Sequence, residues 1–335
     1  MTHVGLVPRL AGPRAPGTDV AVTDLSAGVG AVAWLAAVLL GGLGPIDRAL
    51  ALAPLVLVPL GLGVGLSGTT DRRTRRLRAV AVRWQPVGAL ALLASLLWPG
   101  AGWVAALLAS PWLLVTGLLG LTALARIERR GPWPLAETAV DAGLAYVSVG
   151  AVALVLVHLG ITLWFDPVIV RLTAVHFHYA GFVLPVATGL AGRSVDTGRG
   201  YRTLAAVVLV GPALVAVGIS FSPVVEVLAV AGFTAAVAAL GGYVVVRVVP
   251  TRPRVQALVL AASALALPVS MLLALGYAVT VFTGIEFGLG IGTMVALHGS
   301  LNAFGFGLLA MIGWRLAVPD PGEPSTPTGT GHSAK

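Results

Sequence analysis

Ten long apolar segments constrain this sequence more than any other feature. A helix needs about 20 apolar residues to cross the hydrocarbon core of a bilayer. Segments of this kind lie at 26–44, 48–67, 84–98, 101–125, 138–164, 168–191, 203–221, 223–247, 255–282 and 289–316. The sequence therefore predicts an all-α, polytopic bundle of about ten transmembrane helices.

The composition excludes a water-soluble enzyme. Of the 335 residues 57% are hydrophobic and 10% are charged, whereas a soluble domain has about 45–50% apolar and about 25% charged residues. Cysteine is absent, which excludes disulfides, thiolate metal ligands and thiol chemistry. We also find no phosphate loop, nucleotide motif or nucleophile–base pair, so the sequence favours a protein that is not an enzyme.

The basic residues predict the orientation of the chain. There are 21 of them, of which Lys335 is the only lysine. With ten spans all but Arg48 and Arg171 fall on one side, and basic loops stay in the cytoplasm. Both termini are therefore predicted to lie inside. The clusters at 71–78 and 126–130 are short and separated by apolar segments, so we interpret them as topology signals and anionic-lipid contacts, not as a nucleic-acid site.

Three regions follow from this pattern. Residues 1–25 are predicted to be a cytoplasmic N-terminal tail, 26–317 a ten-helix transmembrane domain, and 318–335 a disordered cytoplasmic tail rich in Pro, Gly, Ser and Thr. The acids Glu137 and Asp141 lie at the start of the fifth segment, where the helix dipole favours negative charge, and we interpret them as capping residues.

Four histidines fall inside the predicted spans, where ionisable groups usually mark function. His158, His176, His178 and His298 all lie about 9–15 Å below the outer end, in three different helices. His176 and His178 are two residues apart and must face opposite sides of a helix, so they cannot both chelate one ion. Tyr179 shares the face of His176.

The tenth segment carries a second polar pair. His298 and Asn302 are four residues apart and share a face, beside a stripe of small residues at Gly299, Ala303 and Gly307 that allows close helix packing. We predict that this segment packs on the sixth, with His298 and Asn302 near His176 or His178. The candidate ligand-binding residues lie in the outer half of the predicted spans: His158, Arg171, His176, His178, Tyr179, His298 and Asn302.

Two stretches carry a resemblance to a known family. The motifs HFHYAGF at 176–182 and HGSLNAFGF at 298–306, together with the ten-span plan, resemble the YndJ-like family of bacterial membrane proteins. The resemblance covers mainly segments five to ten. It implies a multispanning protein of the bacterial cytoplasmic (inner) membrane, in a family often labelled as transporters.

A weaker local resemblance concerns heme. The stretch from His176 to Tyr179 looks like the helix of heme–copper oxidase subunit I that carries two heme-ligating histidines, and the motif at His298 looks like another of its heme-ligating helices. By that analogy His178 and His298 would hold one b-type heme. The motifs occur in reverse order and the copper-site motif is missing, so the resemblance does not imply oxygen reduction.

Three functions remain open at this point. The first is a transporter or small-ligand binder for a small molecule or ion, with a His-lined pocket open to the outside. The second is a heme- or metal-binding redox protein that uses His158, His176, His178 and His298. The third is a scaffold or sensor without catalysis. The lipid bilayer is the partner in all three, and the sequence does not determine an oligomeric state.

Overall fold

The computed structural model describes residues 18–66, 71–195, 197–285 and 287–319, with side chains from residue 21 onward. Within these residues the regular structure is helical, without strands, and ten helices are long and apolar enough to cross a membrane. In chain order they are α1 Thr18–Leu39, α2 Pro45–Gly65, α3 Arg72–Leu97, α4 Trp103–Arg130, α5 Leu135–Leu159, α6 Pro167–Ser194, α7 Arg199–Phe221, α8 Pro223–Thr251, α9 Arg254–Thr283 and α10 Ile291–Leu316. The predicted all-α bundle of ten spans is confirmed.

The short helix α2 forms the centre of the bundle. Its membrane-spanning window is 83% buried, against 22–50% for the other nine helices, and it contacts α1, α3, α6 and α10. Glycines make this close packing possible: a Cβ on Gly61 would lie 2.7 Å from the Phe182 ring of α6, and one on Gly63 would lie 2.6 Å from Thr23 Oγ1 of α1. Small residues let transmembrane helices approach closely, which explains the glycine-rich sequence of α2.

The helices extend beyond the apolar segments that predicted them. The third segment was expected to begin at 84, yet α3 begins at Arg72 and includes the arginine cluster. Asp71 caps this helix by accepting a hydrogen bond from the Thr74 N–H at 3.0 Å. The side chain and the backbone N–H of Thr74 together hold the pKa of the Asp71 carboxyl below its usual value. An apolar segment marks the part of a helix that crosses hydrocarbon, whereas long basic side chains let the helix continue into the interface.

The first helix differs from its prediction in the same way. It begins at Thr18 instead of 26, and Asp24 in its second turn forms an ion pair with Arg315 of α10, with 2.8 Å between Arg315 Nε and Asp24 Oδ1. The remaining predicted tail residues, 1–17 and 320–335, lie outside the described part of the chain.

Four of the ten helices contain wide π-type turns. These segments are Ala53–Leu57 in α2, Tyr179–Val183 in α6, Val244–Val248 in α8, and Met294–Gly299 and Leu301–Leu308 in α10. Proline accounts for two of them: Pro54 lies inside the α2 segment, and Pro185 follows the α6 segment by two residues and removes a backbone donor. Wide turns of this kind often occur at functional sites.

Candidate functional site

The two histidines of α6 face opposite sides and have different environments. His178 is fully buried. Its Nδ1 lies 2.7 Å from the Ala174 carbonyl, which can only accept, so Nδ1 carries the proton. Its Nε2 accepts a hydrogen bond from the Trp112 indole N–H of α4 at 2.9 Å. Gly150 of α5 makes room for the ring, because a Cβ there would lie 2.7 Å from His178 Nδ1. His178 is therefore a neutral residue with both ring nitrogens engaged.

His176 faces α10 and retains a free nitrogen. Its Nδ1 donates to the Leu172 carbonyl at 2.7 Å, so Nε2 is an acceptor, and within the described residues Nε2 has no hydrogen-bond partner. The His176 ring lies with its centroid 6.3 Å from that of His298, tilted by 32°. The His176 side chain is exposed at the surface of the bundle, although the residue lies about ten residues from the start of α6.

Three polar residues of α9 and α10 form a hydrogen-bonded set opposite His176. His298 Nδ1 donates to the Ser270 carbonyl at 2.8 Å, which leaves Nε2 as the acceptor of the Asn302 amide at 3.1 Å. The same amide donates to Ser270 Oγ at 2.6 Å. We call His176, Ser270, His298 and Asn302 the polar cluster. Sequence reasoning missed Ser270, since a single serine in an apolar helix is more often a small packing residue.

Arg171 and Tyr179 connect α6 to the beginning of α2. The Arg171 guanidinium pairs with both carboxylate oxygens of Asp47, and the Tyr179 hydroxyl donates to the Ala49 carbonyl at 2.8 Å. A Cβ on Gly307 would lie 3.1 Å from the Tyr179 ring, so this glycine of the predicted stripe does bring α10 close to α6. Asp47 was not recognised from the sequence, because it stands at the edge of an apolar segment like an ordinary loop acid.

His158 does not join the polar cluster by any hydrogen bond. It is buried, and its Nε2 lies 3.2 Å from Ser95 Oγ of α3. Because that hydroxyl already donates to the Leu92 carbonyl at 2.7 Å, His158 Nε2 is the donor. This histidine is a hydrogen-bonded packing residue between α3 and α5.

The residues present do not fit the heme proposed from local resemblance. His178 and His298 were expected to hold one heme, yet both nitrogens of each ring are engaged within the protein. His178 also faces α4 and α5, whereas His298 faces α9 and His176. Among the described residues no group of three or more His, Cys, Asp or Glu is arranged to hold a metal ion. His158 and His176 therefore have no assembled ligand set either.

A second buried polar network lies at the arginine-rich end of the bundle. Glu137 accepts hydrogen bonds from Arg126 at 2.7 Å and from Arg193 at 2.6 and 2.8 Å. Asp141, whose side chain is 0% exposed, pairs with Arg126 and with Arg130. We call these five residues the ionic network. The interpretation of Glu137 and Asp141 as caps was wrong: α5 has no side-chain cap, and both acids neutralise arginines of α4 and α6.

The ionic network also reaches the central helix. The side chain of Arg193 is 2% exposed, and it donates to the carbonyls of Val64 and Gly65 at the end of α2, at 3.2 and 2.8 Å. These carbonyls belong to the last turn of the helix, where helix carbonyls need partners from outside the helix. Arg193 therefore fixes the end of α2 to α5 and α6.

Ten apolar helices, a buried central helix and polar groups paired inside the spans define a multispanning helical membrane protein. Comparison with known sequences gives its family. A profile of the YndJ-like proteins matches residues 48–306, and the chain belongs to this family. It is similar to the uncharacterized membrane protein YndJ of Bacillus subtilis (strain 168), with 34% identity over 213 residues, which cover 63% of this chain and 38% of that protein. The chain thus matches about two fifths of the length of this relative. No solved structure matches.

Proposed function

We propose that this protein binds and transports a small polar solute or ion at the polar cluster. The observation that carries the proposal is the free Nε2 acceptor of His176, which is accessible and lies opposite the His298 ring at 6.3 Å. A polar group inside a membrane span is costly and usually marks a substrate or ion pathway. A solute that donates a hydrogen bond to His176 Nε2 would satisfy this group.

The interrupted helices near the polar cluster support the same function. The wide turns of α10 contain His298 and Asn302 themselves, and that of α6 begins at Tyr179, three residues after His176. Transporters commonly build their sites near the midplane from irregular helices, where the altered backbone lines a cavity. A wide turn also provides a place at which a helix can change its packing.

The positive-inside rule supports an orientation for this site. If the arginine-rich end lies in the cytoplasm of a bacterium, the polar cluster lies in the outer half of its inner membrane. The Arg171–Asp47 pair then lies above the cluster, near the outer surface, and holds α6 against α2. Because its Nε2 is free to accept a proton, His176 is also the residue of the cluster through which a proton would be coupled to transport.

Accessibility of His176 to water tests the proposal. The chain contains no cysteine, so His176→Cys introduces a single thiol. We expect this variant to react with a charged, membrane-impermeant methanethiosulfonate. Leu297→Cys is the control: it lies on α10 next to His298, its side chain is 50% exposed, and because that side chain is apolar we expect it to face lipid. Equal, slow labelling of both thiols would contradict a water-filled route to the polar cluster.

Transport itself is tested on the native chain, which keeps the His176 acceptor. A panel of small polar solutes and ions is screened in uptake assays with proteoliposomes. His298→Ala is expected to abolish uptake while the protein still unfolds at a temperature near that of the native chain. Uptake unchanged by His298→Ala would favour a scaffold or sensor, in which these polar groups only fix helix packing.

A further inference from the structure

We propose that an anionic phospholipid binds in a groove between α7 and α8 at the arginine-rich end. The groove has a volume of about 460 Å³, and its lining includes Gly200 and Tyr201 of α7 and Gly242, Tyr243, Val246 and Arg247 of α8. We call it the lateral groove. Its size falls in the roughly 300–1,000 Å³ range of small-molecule sites. The inference is independent of the function proposed for the polar cluster.

Glycines keep the lateral groove open. A Cβ placed on Gly200 or on Gly242 would meet no atom within 4 Å. Beside them Val246 is 70% exposed and presents its apolar side chain outward. The groove therefore opens sideways on the perimeter of the bundle, where hydrocarbon chains of the bilayer surround the protein.

The aromatic wall of the groove is fixed by contacts inside the protein. Tyr201 is 1% exposed, and its hydroxyl donates to the Thr188 carbonyl of α6 at 2.9 Å. The Tyr243 ring packs against it with 5.7 Å between the centroids. Because the buried Tyr201 holds the partly exposed Tyr243 ring in place, an acyl chain that lies along Tyr243 loses its own freedom without ordering protein side chains.

Arg247 gives the groove a positive charge at one end. Its side chain is exposed, and among the described residues no carboxylate pairs with it. A positive charge at the rim of an apolar groove matches an amphiphile with a hydrocarbon chain and an anionic headgroup. Basic pockets between transmembrane helices on the cytoplasmic side recognise anionic headgroups in this way. A free phosphate ion would pair with Arg247 but would leave the apolar part of the groove empty.

Native mass spectrometry of the purified full-length chain tests the proposal with phosphatidylglycerol and phosphatidylcholine. We expect phosphatidylglycerol to bind more tightly. Arg247→Gln should weaken its binding about fivefold, since one basic residue near the surface contributes about 1 kcal/mol to anionic-lipid attraction. Gly242→Leu should weaken it independently, because the new side chain fills the groove without a clash.

Two matched variants serve as controls. Arg76→Gln removes one exposed arginine at the same end on α3, and Gly232→Leu adds the same side chain on α8 at a position where a Cβ also meets no atom. Both should retain native affinity. Equal binding of the two lipids, native affinity in Gly242→Leu, or displacement of the lipid by millimolar inorganic phosphate would each overturn the proposal.

Discussion

At the scale of single residues, the state of each histidine is decided by the atom opposite each ring nitrogen. His176 and His178 are two residues apart and both donate from Nδ1 to a backbone carbonyl. They differ at Nε2, which accepts from the Trp112 indole in His178 and meets no donor among the described residues in His176. His178 is thereby a satisfied packing residue, and His176 is the histidine on which the proposed function depends.

Removal of the Trp112 donor should destabilise the protein. In Trp112→Phe the buried Nε2 of His178 loses its hydrogen bond, and an unsatisfied buried acceptor costs about 1–3 kcal/mol. We expect a corresponding loss in the free energy of unfolding, measured by denaturant titration in detergent. Trp103→Phe is the control, because that indole is 73% exposed and should change stability by only a few tenths of a kcal/mol. Equal stabilities of the two variants would contradict the assigned hydrogen bond.

At the scale of the helices, the ionic network stabilises the contacts among α2, α4, α5 and α6. Three arginines and two acids bury most of their charge at the ends of these helices. Moving a charge from water into the protein interior costs free energy, and this cost is offset only when every partner of the charge is present. The network therefore makes these four helix ends depend on one another.

Asp141→Asn should break this dependence. The substitution leaves Arg126 and Arg130 without their shared carboxylate, and loss of one partner of a buried pair costs about 3–5 kcal/mol. We expect a marked fall in the unfolding temperature of the purified protein. Glu128→Gln is the control, since the Glu128 and Arg73 side chains are 64% and 70% exposed and such surface pairs contribute about 0–1 kcal/mol. A fall no larger than that of the control would show that the pairs with Asp141 contribute little.

At the scale of the whole molecule, the even number of spans places the start of α1 and the end of α10 at the same end of the bundle. The connections α2–α3, α4–α5, α6–α7 and α8–α9 share this arginine-rich end, and the other five connections lie opposite. The positive-inside rule then predicts that the arginine-rich end faces the cytoplasm.

This orientation can be tested with two thiols. Ala101→Cys lies in the α3–α4 connection at the opposite end, and Thr251→Cys lies at the arginine-rich end; both positions are exposed. In intact cells an impermeant maleimide should label position 101 at once and position 251 only after the membrane is permeabilised. The reverse pattern would mean that the chain is inserted the other way round.

The sequence by itself determined the class of the protein, the number of spans and the common end of the basic residues. These properties follow locally, because each segment must separately exclude charge over about 20 residues to cross hydrocarbon. The opposite faces of His176 and His178 also followed, since they depend only on the helical repeat.

Only the tertiary structure decided which polar groups meet. The pairing of Asp47 with Arg171, the contact of Ser270 with His298, and the use of Glu137 and Asp141 as counter-ions all join residues from different helices. No spacing within one segment encodes these pairs. They depend on which helix faces are brought together, and in a bilayer that choice rests on small packing differences and hydrogen bonds, because lipid and protein interior are equally apolar.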